Sequence, residues 1–200
     1  MDESRQKILE TIKIYAQKND VPIISDEGLL YLLQLIQKKN VKKILEIGTA
    51  IAYSAICMAL SDHELIIDTI ERNSEMCALA KQNITKLGLN KQINVYYGDA
   101  LLLDLNLLQA NYDLIFIDAA KAQYKKFFIR YSSLLKTKGL IVSDNLLFHG
   151  FVNSEEKIYS RNLRQLVKKI KAYNNWLINN TAYKTVFVSV GDGMAVSEKL

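Results

Sequence analysis

The feature that most constrains the fold is a regular alternation of short apolar runs with longer stretches of helical periodicity. Five apolar runs occupy residues 42–48, 65–71, 93–99, 112–120 and 139–145. This alternation predicts right-handed β-α-β crossovers and a mostly parallel sheet covered by helices on both faces. Two more β-rich runs, YKTVFVSV and MAVSEK, flank Gly-Asp-Gly and predict a C-terminal antiparallel hairpin. We therefore expect a doubly wound α/β fold with a seven-stranded sheet.

The stretches between the runs predict the helices. Helical periodicity covers residues 3–18, 26–39, 53–61, 74–87, 121–135 and 155–173, and Asp26 is the expected N-cap of the second helix. No repeat or low-complexity linker divides the chain. We expect one domain over residues 1–200, with N-terminal helices over 1–40 and an α/β core over 41–200.

Composition excludes several classes of protein. Half of the residues are hydrophobic and only one is proline, which argues against a disordered or fibrous chain. The sequence has no apolar stretch of membrane-spanning length and no recognisable signal peptide. Cys57 and Cys77 fall on predicted helices among apolar neighbours, so we expect buried free thiols and a cytoplasmic protein.

Polar residues stand at the carboxyl ends of all five predicted parallel strands. Ligands of open α/β sheets bind beyond these ends, so the residues would share one rim. They are Glu46 with Gly48, Glu71, Asp99, Asp118 and Asp144.

The first half of this rim has the character of a nucleoside site. Gly48 ends the first strand, where a ligand would approach the backbone. Glu71 ends the second strand, where a carboxylate would accept hydrogen bonds from ribose hydroxyls. Asp99 and Ala100 would meet an adenine ring. The G-x-G-x-x-G phosphate loop is absent, which favours an adenosine ligand without phosphates, S-adenosylmethionine being the obvious one. The alternative is a plain α/β turn with surface acids.

The second half of the rim has the character of a metal site. Asp118, Asp144 and Asn145 offer oxygen ligands suited to Mg²⁺. Lys121 is three residues from Asp118, so it could accept a proton from a group bound to that metal. The alternative is an N-cap aspartate, a surface lysine and an Asx-turn.

Several segments in order resemble a known family. ILEIGTAIAYSAICMA, TIERN, YYGDA, FIDAAKAQY and SDN are similar to those of the Mg²⁺-dependent class I O-methyltransferases, which include the catechol and caffeoyl-CoA O-methyltransferases. The resemblance runs from VPIISDEG at 21–28 to the C-terminal GDGMAVSEK, and it implies a Rossmann-like methyltransferase fold. Within the family, VPIISDEG and LEIGTAIAYSAICMAL most resemble the bacterial tRNA 5-hydroxyuridine O-methyltransferases.

The resemblance also implies a role for each matching residue. The methyl donor would be held by Ile23, Glu46, Gly48, Tyr53, Ser54, Glu71, Gly98, Asp99, Ala100 and Asp118. The metal ligands would be Asp118, Asp144 and Asn145, and the catalytic residues would be Lys121, as the base, and Asp118. The sequence departs from the family at Ala52, where glycine is usual and where alanine adds one methyl group beside the expected cofactor.

A basic stripe suggests a polyanionic substrate. Its members are Lys157, Arg161, Arg164, Lys168 and Lys171. They are spaced four, three, four and three residues apart, so on a helix they would lie within a sector of about 80° around the axis, and such a row of cations suits a phosphate backbone. A solvated helix face is the alternative. Phe148, Phe151 and Tyr124 would offer stacking surfaces for a base or belong to the core. His149 and His63 are interpreted as a loop and a surface residue.

These observations lead to one main hypothesis and two alternatives. The main hypothesis is methylation of 5-hydroxyuridine in the tRNA anticodon loop, giving 5-methoxyuridine, with S-adenosylmethionine and Mg²⁺. The first alternative is a small-molecule O-methyltransferase acting on catechols or caffeoyl-CoA-like phenolics. A non-enzymatic adaptor ranks last, because the metal and base residues are all present. We also expect a homodimer, with the N-terminal helices as a candidate contact.

Overall fold

A computed structural model describes residues 3–147 and 160–200 of the chain. In these residues seven strands form one sheet in the order β3-β2-β1-β4-β5-β7-β6. Strands β1 to β5 are parallel, and β7 runs antiparallel between β5 and β6. The predicted doubly wound α/β fold with a terminal antiparallel hairpin is confirmed.

Most elements lie close to their predicted bounds, but the fifth strand begins at Leu135 and not at 139, and the last helix ends at Ile178 and not at 173. The strands are β1 Lys43–Ile47, β2 Ile66–Glu71, β3 Ile93–Tyr97, β4 Tyr112–Ile117, β5 Leu135–Ser143, β6 Tyr183–Val188 and β7 Met194–Lys199. The helices are α1 Glu3–Lys18, α2 Asp26–Lys38, α3 Tyr53–Ser61, α4 Ser74–Lys86, α5 Tyr124–Tyr131 and α6 Arg161–Ile178.

Two helix starts differ from the prediction. Ser25, not Asp26, is the N-cap of α2: its hydroxyl accepts a hydrogen bond from the Gly28 N–H, and Asp26 is the first helical residue. The predicted helix over 121–135 is shorter, because 3₁₀ turns at Lys121–Gln123 and Ser132–Leu134 flank α5. Lys157, Phe148, His149 and Phe151 lie outside the described residues.

The central strands are buried on both faces, which explains their continuous apolar runs. On one face, α1 to α4 cover strand residues such as Ile44, Leu114 and Phe116. On the other face, α5 and α6 cover Leu45 and Ile115 with their neighbours. Cys57 and Cys77 are buried free thiols, as predicted.

The strand order places a crevice at the end of β1. Strand β1 pairs with β2 on one side and β4 on the other, so the connections leaving these strands diverge at this point. Parallel sheets bind ligands at such a divergence, beyond the carboxyl ends of the strands. None of the helices in the described parts of the chain is both long and apolar enough to cross a membrane.

Candidate active site

The end of β1 is held directly against the end of β4. Gly48 has φ +104°, and its N–H donates to the Ile70 carbonyl at 3.1 Å. On the other side, the Asp118 N–H donates to the Ile47 carbonyl at 3.0 Å. A Cβ atom added to Gly48 would lie 2.1 Å from the Asp118 carbonyl oxygen. Only glycine therefore allows the two strand ends to approach this closely.

We expect Gly48→Ala to destabilise the protein by about 3 kcal/mol, because it combines a backbone clash with an unfavourable φ. Gly88→Ala is the matched control: Gly88 has φ +69°, but nothing lies within 4 Å of its added Cβ. The control isolates the cost of the backbone conformation, about 1 kcal/mol. Denaturant unfolding of both variants measures the difference, and equal losses would contradict the close-approach explanation.

A cavity of about 600 Å³ opens over these strand ends. Most of the residues predicted for the site line it, namely Ile23, Gly48, Tyr53, Ser54, Glu71, Gly98, Asp99, Ala100, Asp118, Lys121 and Asn145. Its size is suitable for a nucleoside-sized cofactor together with part of a second substrate. Glu46 and Asp144 are not among the residues that line it.

Glu71 is fixed by the backbone on both sides. One carboxylate oxygen accepts the Ala50 N–H at 2.8 Å, and the other accepts the Asn73 N–H at 2.8 Å. Each oxygen has a further lone pair, so the carboxylate can also accept hydrogen bonds from ribose hydroxyls. The next strand end is tied to the same residue, because the Gly98 N–H donates to the Glu71 carbonyl at 2.9 Å.

Glu46 lies beneath the cavity with no exposed surface. Its carboxylate accepts hydrogen bonds from the hydroxyls of Ser54 and Thr69, each at 2.5 Å. The Thr69 hydroxyl also meets that of Thr49 at 2.6 Å. Ser54 and Thr49 line the cavity. The sequence predicts that Glu46 binds the cofactor, and this stays a prediction; in the structure its carboxylate contacts Ser54, which lines the cavity, and Thr69.

Burial raises the pKa of Glu46 from 4.5 to about 7, against the opposing effect of the Ser54 and Thr69 hydrogen bonds. The folded protein thus holds this proton more tightly than the unfolded chain does. Its stabilising contribution is complete below about pH 4.5 and is lost as the pH rises through about 7.

We therefore expect Glu46→Gln to gain stability relative to the unmodified protein as the pH rises. The difference in the free energy of unfolding should change by roughly 3 kcal/mol between about pH 4.5 and about pH 8. Urea unfolding across this range, without ligands, measures it. A constant difference would show that Glu46 ionises with an ordinary pKa.

The candidate metal ligands follow the neighbouring strands β4 and β5. The Asn145 amide nitrogen lies 3.3 Å from a carboxylate oxygen of Asp118. Asp144 is 3% exposed, and its carboxylate accepts the Asn145 N–H at 2.6 Å. Asn145 adopts φ +60°, a conformation that asparagine tolerates better than most residues.

Both carboxyl groups have raised pKa values. Burial raises the pKa of Asp118. The charge of Lys121 and the hydrogen bond from the Asn145 amide offset only part of this rise. Burial and the charge of Asp118 raise the pKa of Asp144 to about 7. Two carboxylates at adjacent strand ends therefore repel each other in the protein alone, and a bound cation would relieve this repulsion.

The donor set fits a hard divalent cation. Two carboxylates and one amide oxygen are typical ligands of Mg²⁺, which also keeps several waters or substrate oxygens in its octahedral shell. In residues 3–147 and 160–200, no group of three or more His, Cys, Asp or Glu side chains is placed to hold a metal. Any site here thus depends on the Asn145 amide as its third protein ligand.

The structure also shows residues that the sequence reasoning missed. Thr49, Asn73, Met76, Gln123 and Phe127 line the cavity, although their positions carry no recognisable chemical motif. Only their positions could have indicated them, since each comes shortly after a strand end or lies near the start of α4 or α5.

Ala52 keeps the backbone that glycine usually provides. It has φ 67° and is fully buried as the N-cap residue of α3. Left-handed backbone costs a non-glycine residue roughly 1–2 kcal/mol, so the surrounding loop maintains a strained conformation. The departure from the family pattern thus leaves the turn into α3 intact.

The predicted basic stripe is partly described. Arg161, Arg164, Lys168 and Lys171 are all exposed on α6, which packs through Val167 and Ile170 on the core. Helix α6 also packs against the 3₁₀ turn that carries Lys121. Tyr124, a candidate stacking residue, is only 1% exposed and belongs to the core. His63 is on the surface, as interpreted from the sequence.

Fold and site together define a class. A seven-stranded sheet of this order, with a carboxylate after β2 and a glycine after β1, is the architecture of the class I S-adenosylmethionine-dependent methyltransferases. The model of one family in this class, O-methyltransferase, matches residues 2–200. The chain belongs to this O-methyltransferase family.

Individual relatives agree with this assignment. Catechol O-methyltransferase of Niastella koreensis is 35% identical over 179 residues, which cover 84% of this chain and 77% of the relative. A crystal structure from Staphylococcus aureus, provisionally described as a caffeoyl-CoA O-methyltransferase, has a TM-score of 0.92 and 46% identity, covering 96% of this chain and 92% of that one. An O-methyltransferase of Bacillus cereus crystallised with S-adenosylhomocysteine shares the fold, with a TM-score of 0.81, 23% identity and coverage of 100% and 92%.

Proposed function

We propose that the protein transfers a methyl group from S-adenosylmethionine to a phenolic hydroxyl that has a second oxygen beside it. The observation that carries this proposal is the shared cavity. Gly48, Glu71 and Ala100 on the nucleoside side line the same space as Asp118 and Lys121 on the metal side. A donor methyl and an acceptor hydroxyl would therefore meet between two sets of residues fixed on adjacent strand ends.

Each side has a distinct task. Glu71 would accept the ribose hydroxyls, while Ser54 and Thr49 would face the methionine part of the donor. Asp118, Asp144 and Asn145 would hold a divalent cation, which when bound lowers the pKa of a chelated hydroxyl and orients it. Lys121 would accept the hydroxyl proton, so that the oxygen attacks the sulfonium methyl in line.

Small phenolic compounds are the favoured substrates. The Niastella koreensis relative is named a catechol O-methyltransferase, and the Staphylococcus aureus structure is provisionally described as a caffeoyl-CoA O-methyltransferase. These names support the small-molecule alternative better than the tRNA hypothesis. A catechol also provides the two vicinal oxygens that the donor set requires.

5-Hydroxyuridine in tRNA remains the second candidate, and one observation favours it. The exposed cations Arg161, Arg164 and Lys168 lie on a helix that packs against the turn carrying Lys121. A polyanion entering the cavity would pass near this face, and 5-hydroxyuridine also presents two adjacent oxygens.

One experiment separates the candidates. The protein is incubated with labelled S-adenosylmethionine and Mg²⁺, with and without chelator, and offered catechol, caffeoyl-CoA or tRNA lacking the modification. Mass spectrometry of the products follows the methyl group. Chelator-sensitive methylation of the phenols supports the main proposal, whereas methylation confined to 5-hydroxyuridine supports the second candidate. No methyl transfer to any acceptor contradicts both.

A charge reversal sharpens the distinction. The triple variant Arg161→Glu, Arg164→Glu, Lys168→Glu should leave catechol methylation unchanged and abolish any methylation of tRNA. The matched control reverses three exposed cations on and just after α4, Lys81, Lys86 and Lys91. Equal effects of both triple variants would indicate a general charge effect and remove the case for the α6 face.

Two further expectations stay proposals. Exposed apolar residues on the N-terminal helices, Ile14, Tyr15 and Leu30, support a homodimer through this region. Sedimentation of the protein and of a Leu30→Glu variant tests it, since a dimer through this surface should dissociate in the variant. The cytoplasmic location predicted from the sequence is likewise retained as a proposal.

A further inference from the structure

The last residue of β5 is anchored to helix α6 by a buried pair of hydroxyls. Ser143 directly precedes the candidate metal ligands Asp144 and Asn145. Its hydroxyl oxygen lies 2.7 Å from the hydroxyl oxygen of Tyr173 on α6. Ser143 and Tyr173 are 1% and 3% exposed, so water does not compete for this hydrogen bond. The Tyr173 hydroxyl therefore holds the chain one residue before the ligand pair.

Helix α6 also reaches the chain just after the ligand pair. The Asn174 side-chain amide donates to the Leu146 carbonyl at 3.4 Å. The turn between β6 and β7 supports the same residue, because the Leu146 N–H donates to the Gly193 carbonyl at 2.8 Å. Two consecutive residues of α6 thus contact the chain on both sides of the ligand pair.

The ring of Tyr173 connects this segment with the turn that carries Lys121. It packs edge-to-face on the ring of Tyr124, with the ring centroids 5.7 Å apart. Tyr124 begins α5 directly after the 3₁₀ turn Lys121–Gln123. One side chain therefore contacts the neighbour of the metal ligands through its hydroxyl and the neighbour of the candidate base turn through its ring.

Packing alone does not require these hydroxyls. The other buried residues around them on α6 are apolar, namely Val167, Ile170 and Leu177. Phenylalanine and alanine would fill nearly the same space as Tyr173 and Ser143, and exchanging both partners of a buried hydrogen bond for apolar groups can be nearly neutral for stability. A hydrogen bond has a preferred direction, which apolar contacts lack. The pair therefore contributes orientation more than stability.

We propose that Tyr173 is a positioning residue that holds Asp144 and Asn145 at the geometry a divalent cation requires. It acts through Ser143 and takes no part in methyl transfer itself. Mg²⁺ demands near-ideal octahedral geometry, so a small displacement of the ligand segment weakens its binding. This inference rests on the proposed function, since it assumes that the two ligand residues bind a cation.

Removal of the Tyr173 hydroxyl tests the assignment. Tyr173→Phe should weaken Mn²⁺ binding, followed by electron paramagnetic resonance, by about tenfold, with calorimetric binding of S-adenosylhomocysteine unchanged. The double variant Tyr173→Phe, Ser143→Ala also removes the hydroxyl that the first change leaves unpaired. It should regain stability in denaturant unfolding but not Mn²⁺ affinity, whereas a merely structural role would restore both together.

Tyr183→Phe is the matched control. Tyr183 packs on Phe128 in the same aromatic cluster, and its hydroxyl hydrogen-bonds Ser132, which lies near the start of β5. This variant should bind Mn²⁺ as the unmodified protein does. Three outcomes would overturn the role of Tyr173 while leaving the proposed function intact: unchanged Mn²⁺ affinity in Tyr173→Phe, its recovery in the double variant, or an equal loss in the control. Absence of Mn²⁺ binding by the unmodified protein would overturn both this inference and the proposed cation site.

Discussion

Replacing Lys121 with methionine is expected to lower kcat by about 10²- to 10⁴-fold, with S-adenosylhomocysteine bound as tightly as before. Methionine keeps the length of the side chain but cannot accept a proton. Lys121 lines the cavity together with Asp118, and its charge partly offsets the rise that burial causes in the pKa of that carboxyl group. The measurement is steady-state methylation of whichever proposed acceptor the product analysis supports, paired with calorimetric binding of S-adenosylhomocysteine.

Lys121→Arg distinguishes proton transfer from simple charge placement. Arginine keeps the positive charge but stays protonated in proteins, so it cannot act as a base. We expect the arginine variant to be as inactive as the methionine variant. The exposed Lys126 on α5 provides the control, since Lys126→Met should retain full activity. Recovery of most activity by arginine would show that Lys121 acts through its charge alone.

Asp144→Asn is expected to abolish binding of the divalent cation and to reduce methyl transfer by about 10³-fold or more. Asp144 lies outside the cavity wall, so binding of S-adenosylhomocysteine should change little. Titration with Mn²⁺, followed by electron paramagnetic resonance, measures the cation directly. Asp104→Asn, at an exposed 3₁₀-turn cap, is the control and should bind Mn²⁺ normally.

The pH dependence of cation binding gives this prediction a second readout. The pKa of Asp144 is raised to about 7 in the protein alone, so a proton competes with the cation below that pH. Apparent affinity for Mn²⁺ should weaken by about tenfold for each unit that the pH falls below about 7. Pairing with a cation lowers the pKa again, which favours the ionised form once metal is bound. A pH-independent affinity between about pH 5 and 8 would contradict the assigned ligand.

The fold was predictable because its signals are local and repeated. Continuous apolar runs marked strands buried on both faces, and their alternation with helical periodicity predicted a mostly parallel sheet, although not the order of its strands. Helix ends were less certain, as at Ser25, where two neighbouring residues are both good N-caps and only the geometry of the turn decides. The short 3₁₀ turn before α5 likewise leaves no pattern that separates it from a helix.

The site was predictable where strand ends determined it and not elsewhere. Gly48, Glu71 and Asp118 each follow an apolar run, so their convergence could be inferred from topology. Glu46 lies on the same face of β1 as Gly48 but two residues deeper in the sheet, and the sequence alone does not show that its carboxylate contacts the buried hydroxyls of Ser54 and Thr69. Gln123 shows the opposite case, since a glutamine just before a helix carries no chemical signal in the sequence, and only the structure shows that it lines the cavity.

The contact between Gly48 and the Asp118 carbonyl has a consequence for how such enzymes diversify. One backbone contact joins the donor half of the site to the metal half, with no side chain between them. In the proposed site, the distance from the donor's methyl group to the cation would thus be determined by the sheet and would change little when side chains are substituted. We expect related enzymes to acquire new acceptors by altering the loops and helices around the cavity, while the spacing of the reacting groups stays constant across substrates of very different size.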